Sequence, residues 1–178
     1  MRRKLLAGLA GVAAVVALAG PAAAEDTIVT LTVDAAGGLS ITVPATANIG
    51  HGVEGSTVSG QLGPVTVLDQ RGSITPNWTA TVISTDFVTG GGSSGETIPN
   101  INVLYWSGSA TATAGGGTFT PGQQTAAQQQ IINVPRTAFS HTGGTGNNFA
   151  TWNPTLVVNI PDGTVGGTYT GTVTHSVF

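Results

Sequence analysis

Gly91-Gly92-Ser93-Ser94-Gly95 matches the G-x-S-x-G pattern that can place a nucleophilic serine on a strained strand-to-helix turn. That chemistry needs a strand before the serine and a helix after it. Here the match lies inside a Gly/Ser-rich run, and Pro99 stands where the helix would have to continue, so the pattern reads as chance within a loop. His51, His141 and His175 are far apart, and none has a second ligand at a helical metal spacing. His51 and His141 fall in Gly-rich sequence and could meet in space. His175 alternates with Val173 and Val177, the pattern of a half-buried histidine with a hydrogen-bond partner. Asp69 and Asp86 could form a carboxylate pair if their strands were neighbours, although Asp69 can equally hold its own turn by accepting backbone N–H groups. There is no cysteine and no Asp-rich calcium loop. The expectation is a non-catalytic chain with no metal and no cofactor.

Aromatic residues are the other candidates. Rings that stack on sugar faces, with Asn or Gln alongside, are a common basis for glycan binding. A sandwich core also normally contains a tryptophan, because one ring buries a large apolar area. Trp78 shares its parity with Ala80 and Val82 and is expected in a core. Trp106 and Trp152 adjoin Ser/Gly and Asn/Pro sequence, and with Tyr105 and Asn102 they are the candidate ligand or partner contacts. Asn77-Trp78-Thr79 is a glycosylation sequon, meaningful only in a eukaryotic secretory pathway.

The elements that would position these residues are strands. Val65–Leu68 follows Gly-Pro and is β-branched or apolar, Asp69-Gln-Arg-Gly72 suits a turn, and Trp78–Ile83 alternates. Thr27–Val33 and Leu39–Val43 form a hairpin by pattern around Asp34–Gly38. Further strands are expected at 100–106, 131–134, 155–160 and 169–177, the last with Thr170, Thr172, Thr174 and Ser176 on its water-facing side. Residues 48–60, 89–95 and 140–148 read as loops, and 108–130 has no clear period apart from a helical turn near 125–130. About eight strands with frequent Gly and Pro punctuation, and no amphipathic helix, predict an all-β antiparallel β-sandwich of Ig-like or Greek-key type.

Arg2-Arg3-Lys4, the apolar run Leu5–Ala19 and Ala22-Ala23-Ala24 have the form of a Sec-type signal peptide over residues 1–24. The apolar run is shorter than the roughly 20 residues that span a bilayer, so no transmembrane anchor is expected in the mature chain. Residues 25–178 then form a single domain, a size that buries about two-thirds of its unfolded surface. Its basic residues are Arg71 and Arg136 against eight acidic ones, a net charge of −6. Nucleic acid is excluded as a partner on that balance, since phosphate binding needs clustered cations.

Three stretches carry a family resemblance: Thr27–Val43 loosely, Leu62–Phe87 best, and Pro161–Val177. Pro64-Val-Thr-Val-Leu-Asp-Gln-Arg-Gly72 leading to Trp78, and Pro161-Asp-Gly-Thr-Val-Gly-Gly-Thr-Tyr169-Thr-Gly-Thr-Val-Thr-His175, are similar to the WxL-type cell-surface domains of Gram-positive bacteria. The first signature position reads Trp78-Thr79-Ala80 and the second reads His175-Ser176-Val177, so one signature tryptophan is replaced. The positions that carry the resemblance are Asp69, Arg71, Gly72, Trp78, Tyr169 and His175. It implies a secreted cell-surface protein that binds peptidoglycan, or partner surface proteins, non-covalently. The competing expectations are a fibre or pilus-like subunit that assembles by strand pairing and, ranked last, a secreted hydrolase.

Overall fold

The computed structural model of the chain describes residues 37–178. The expected signal segment and the first strand of the expected hairpin, Thr27–Val33, lie outside the described residues. The strands are β1 (Leu39–Thr42), β2 (Thr57–Gln61), β3 (Val65–Asp69), β4 (Trp78–Ser84), β5 (Phe87–Val88), β6 (Thr97–Ile98) and β7 (Val103–Trp106). They continue with β8 (Ala110–Ala114), β9 (Thr118–Pro121), β10 (Gln130–Ile131), β11 (Arg136–Thr142), β12 (Asn148–Trp152), β13 (Thr155–Asn159) and β14 (Val173–Val177). Three single 3-10 turns, Ser94–Glu96, Asn100–Asn102 and Ala126–Gln128, are the helical elements of the described residues.

The fold is all-β, an antiparallel sandwich. A first sheet has the order β1-β3-β12-β8, a second β10-β7-β13-β2 and a third β14-β4-β11-β9, with β5 and β6 paired separately. All the pairings are antiparallel. Leu62-Gly63-Pro64 joins β2 to β3, Ser107-Gly108-Ser109 joins β7 to β8, and Asn153-Pro154 joins β12 to β13. The same strand order therefore runs through both sheets, which makes them one surface bent at a corner. Pro64 and Pro154 suit that corner, because proline cannot donate to a continuing ladder. If each bent pair is counted once and the two-residue strands are set aside, eight long strands remain among the described residues; the expected Thr27–Val33 lies outside them, and the strand expected at 131–134 is only the two-residue β10.

The third sheet covers the inner face of this bent surface. Phe139 on β11 stacks on Trp152 of β12 across the gap, with centroids 4.9 Å apart. One apolar core joins Val65, Ala80, Val82, Phe139, Trp152 and Leu156. Loops 70–77, 115–117 and 143–147 connect the first sheet with the third, and all three lie at the Asp69 end of β3.

Several expectations need correction. Residues 48–60 are not wholly loop, since β2 occupies their end. Asn100–Asn102 is a 3-10 turn, so the strand starts only at Val103, with Pro99 fixing the turn's N-terminus. The segment 108–130 holds an edge pair, β8 and β9, and residues 140–148 hold the end of β11 and the start of β12. The terminal strand begins at Val173, and the residues before it make only the isolated bridge Val88–Thr170. In β14 the predicted alternation holds, with Val173, His175 and Val177 turned inward.

Candidate functional site

Four of the six residues that carried the family resemblance, Asp69, Arg71, Gly72 and Trp78, gather at one end of the sandwich. Asp69 ends β3 fully buried and accepts two side-chain bonds from Arg71, from Nε at 2.9 Å and Nη2 at 2.8 Å, plus the Arg71 backbone N–H at 3.0 Å. The expected self-held turn is therefore present. The Arg71 guanidinium beside Asp69 holds the carboxyl below its usual range. Asn148 donates to Asp69 at 3.3 Å and accepts the indole N–H of Trp78 at 2.8 Å. Trp78 is 2% exposed and stacks on His141, which is also fully buried. The His141 ring nitrogens lie 2.7 Å from the Pro76 carbonyl and 2.9 Å from the Gly116 carbonyl. His141 thus sits on a strand, inside, and not in a loop beside the exposed His51. Gly72 donates its N–H to Asn147 and Gly143 donates to Asn77, which closes the end. Apart from the His141 ring, which has carbonyl acceptors at both nitrogens, each polar side-chain atom named in this cluster has a hydrogen-bond partner, so it acts as a clasp between β3, β4, β11 and β12.

The expected carboxylate pair does not form. Asp86 accepts the Asn100 N–H at 2.7 Å instead. Ser93 precedes a single 3-10 turn, with its backbone N–H donated to the Glu96 carboxylate at 3.0 Å. The strand-to-helix elbow that a nucleophile of this pattern requires is not what surrounds it. Among the described residues no group of three or more His, Asp or Glu is placed to hold a metal ion.

The four candidate contacts separate. Trp152 and Tyr105 are both fully buried, contrary to their assignment as surface contacts, because β12 and β7 turn them to the core side of the bent sheet. Trp106, one residue on, faces the opposite way and stays half-buried, while Asn102 is half-buried in its 3-10 turn. No single surface presents all four.

Trp152 and Tyr105 instead reach a sixth residue of the resemblance, His175. The Trp152 indole can only donate, and it donates to the Tyr105 hydroxyl oxygen at 3.0 Å. The phenolic proton is then free for Nε2 of His175, 3.2 Å away. That makes Nε2 an acceptor and puts the imidazole proton on Nδ1, which has no partner among the described residues. Burial keeps the ring neutral, with its pKa lowered to about 4, and pushes the Tyr105 phenol up.

His175 belongs to the lining of a groove of about 970 Å³. Residues 43–54 form one wall and residues 164–173 the other. Val58, Val65, Leu156, Val158 and Ile160 line the floor between them. Tyr169 braces the second wall by sharing its O–H between the carbonyls of Gly95 (3.0 Å) and Val165 (2.8 Å). Among the described residues Glu54 is the one carboxylate of the lining, and neither Arg71 nor Arg136 belongs to it. Sequence reading missed this groove because its walls are Gly/Thr/Ala segments with no motif of their own.

Comparison with protein-family models, curated proteins and solved structures finds no match to this chain.

Proposed function

We propose that this chain is an exported, non-catalytic protein of the bacterial envelope that binds cell-wall peptidoglycan, or partner surface proteins, non-covalently. The groove is the observation that carries the reading. Its described lining combines aliphatic side chains with one threonine-rich wall, residues 164–173, and the imidazole of His175, and among the described residues it contains neither Lys nor Arg to attract an anionic ligand. The signal-like N-terminus and the resemblance of residues 62–87 and 161–177 to WxL-type domains support the location. In this reading Trp78 belongs to the scaffold, whereas His175 faces the groove that the ligand meets.

Pelleting with purified peptidoglycan tests the wall-binding form, with a known wall binder as companion. The chain should sediment with the wall fraction; retention of all of it in the supernatant while the companion pellets removes wall binding. A fibre subunit is the second reading. It is favoured by β8, an exposed edge strand of alternating Ala and Thr, with no charge or proline to blunt it. Light scattering on a size-exclusion column separates the two, because a concentration-independent monomer excludes the fibre.

A further inference from the structure

His141 is fully buried, and a carbonyl oxygen faces each of its ring nitrogens. Pro76 O lies 2.7 Å from Nδ1, and Gly116 O lies 2.9 Å from Nε2. A carbonyl can only accept. A neutral imidazole has one N–H and one bare nitrogen, so in either tautomer one of these contacts sets a lone pair against an oxygen. Both distances are those of a hydrogen bond, and only the doubly protonated ring donates to both oxygens.

The rest of the surroundings suit a cation. The ring is stacked on Trp78, with centroids 5.8 Å apart, and tilted against Phe119 at 4.5 Å. Both lie inside the roughly 6 Å over which an aromatic face attracts a positive charge. Burial opposes the charge, because a cation without partners is costly away from water. Here two carbonyl dipoles and two aromatic side chains stand where water would. On the elements around the ring the charged groups are Asp69 on β3, Arg71 in loop 70–77 and Arg136 at the start of β11. Asp69 and Arg71 are bound to each other, and Arg136 Nε donates to the Ile131 carbonyl. Asp69 is linked to the ring through Asn148 and Trp78, so it does not compete for the ring protons.

We propose that His141 is a proton-binding site within the clasp, charged at neutral pH, whose two N–H groups tie loops 70–77 and 115–117 to β11 together. Loss of one proton leaves one loop carbonyl facing a bare nitrogen, and this end of the sandwich loosens as pH rises. The sign is opposite to that of the neutral, buried His175. The folded chain holds the His141 proton more tightly than the unfolded chain does. The stabilisation is therefore full below the ordinary imidazole range and is lost as pH climbs above it.

Nitrogen-15 NMR of the full chain tests this at about pH 7, where an unperturbed histidine is about three-quarters neutral. His141 should show two ring N–H protons and two ring nitrogen resonances close together, the pattern of an imidazolium. His175 should show the widely separated pair of a neutral ring in the same spectrum. Through-space contacts to the Trp78 and Phe119 rings assign the His141 signals, so the spectrum decides the matter even if a variant does not fold. The second measurement compares the folding constants of wild type and His141→Gln from about pH 6 to about pH 9. Their ratio should fall as pH rises, by up to about tenfold per pH unit, until the ring has released its proton. Widely separated His141 resonances at about pH 7 overturn the proposal, and so does a ratio that stays constant across the range.

Discussion

Trp152 donates its indole N–H to the Tyr105 hydroxyl at 3.0 Å, and this one bond between two fully buried rings sets the protonation of a third. The Tyr105 oxygen, once it accepts from the indole, has its own proton to give, and His175 Nε2 is the group within reach. A chain of three side chains from three sheets thus links the centre of the core to the groove lining.

Trp152→Ala should be among the most damaging single changes in the chain. The ring is fully buried and stacked on Phe139, so truncation opens a cavity and strips the Tyr105 oxygen of its donor. Loss of a buried Trp costs about 3–5 kcal/mol against a typical domain stability of about 5–15 kcal/mol. Thermal melting should show a fall as large as that of Trp78→Ala. A mild effect at Trp152 alone would return this ring to the surface role that its Asn-Pro neighbours suggest.

The pH dependence of stability follows from His175. Its folded pKa is lowered to about 4, against 6.5 for the unmodified ring, so between these values the unfolded chain binds more protons than the folded one. Stability is therefore expected to fall as pH drops from about 6.5 to about 4, by on the order of 3 kcal/mol in full, and to be unaffected by this group below that window. His175→Gln keeps an acceptor for Tyr105 but cannot titrate. Its denaturation midpoint should stay flat across the window in which the wild type declines, and parallel curves for the two proteins would refute the assignment.

How much of this was legible beforehand depends on how cleanly each strand keeps its period. Val65–Asp69, Trp78–Ser84 and Val173–Val177 alternate without interruption, and their inward and outward residues could be read directly. β11 could not be read that way. Its register shifts between Thr137 and Phe139, which leaves Ala138 and Phe139 both buried and breaks the period of two. β12 begins with a buried Asn148, whose inward position makes sense only once Trp78 and Asp69 are in place beside it. The same non-local logic hid His141: Gly and Thr around it suggested a loop, whereas its partners are carbonyls 65 and 25 residues away. The groove was the least legible feature, because its walls are Gly, Ala and Thr segments with no period or motif of their own.

At the clasp, the two halves of the ion pair should not be equivalent. Asp69 is wholly buried while the Arg71 side chain is 36% exposed. Asp69→Asn leaves an arginine that water can still solvate, and should cost about 1–3 kcal/mol. Arg71→Met leaves a buried carboxylate with its cation gone, the more expensive error at about 3–5 kcal/mol. In wild type the pair holds the Asp69 pKa down, so its stabilisation is present above the ordinary carboxyl pKa and is lost as pH falls through the lowered one. Arg71→Met should therefore begin acid unfolding at higher pH than wild type. Equal melting losses for the two variants would mean that the pair is solvated and contributes little.

The last prediction compares two glycines in neighbouring loops of the same end. Gly117 has φ +105°, and a Cβ there would come within 2.8 Å of the carbonyl oxygens of Thr142 and Gly143, in addition to crowding His141 Nε2. Gly143 has φ +74° but open space around its missing Cβ. Both positions penalise an L side chain by about 1–2 kcal/mol through backbone strain alone. Only at Gly117 is backbone in the way, and the ring that would have to yield is the one stacked on Trp78. Gly117→Ala should therefore lose clearly more stability than Gly143→Ala. It should also shift the His141 ring resonances, whereas Gly143→Ala leaves them in place. Matching melting temperatures and an unmoved His141 signal in both variants would show that loop 115–117 does not press on the clasp.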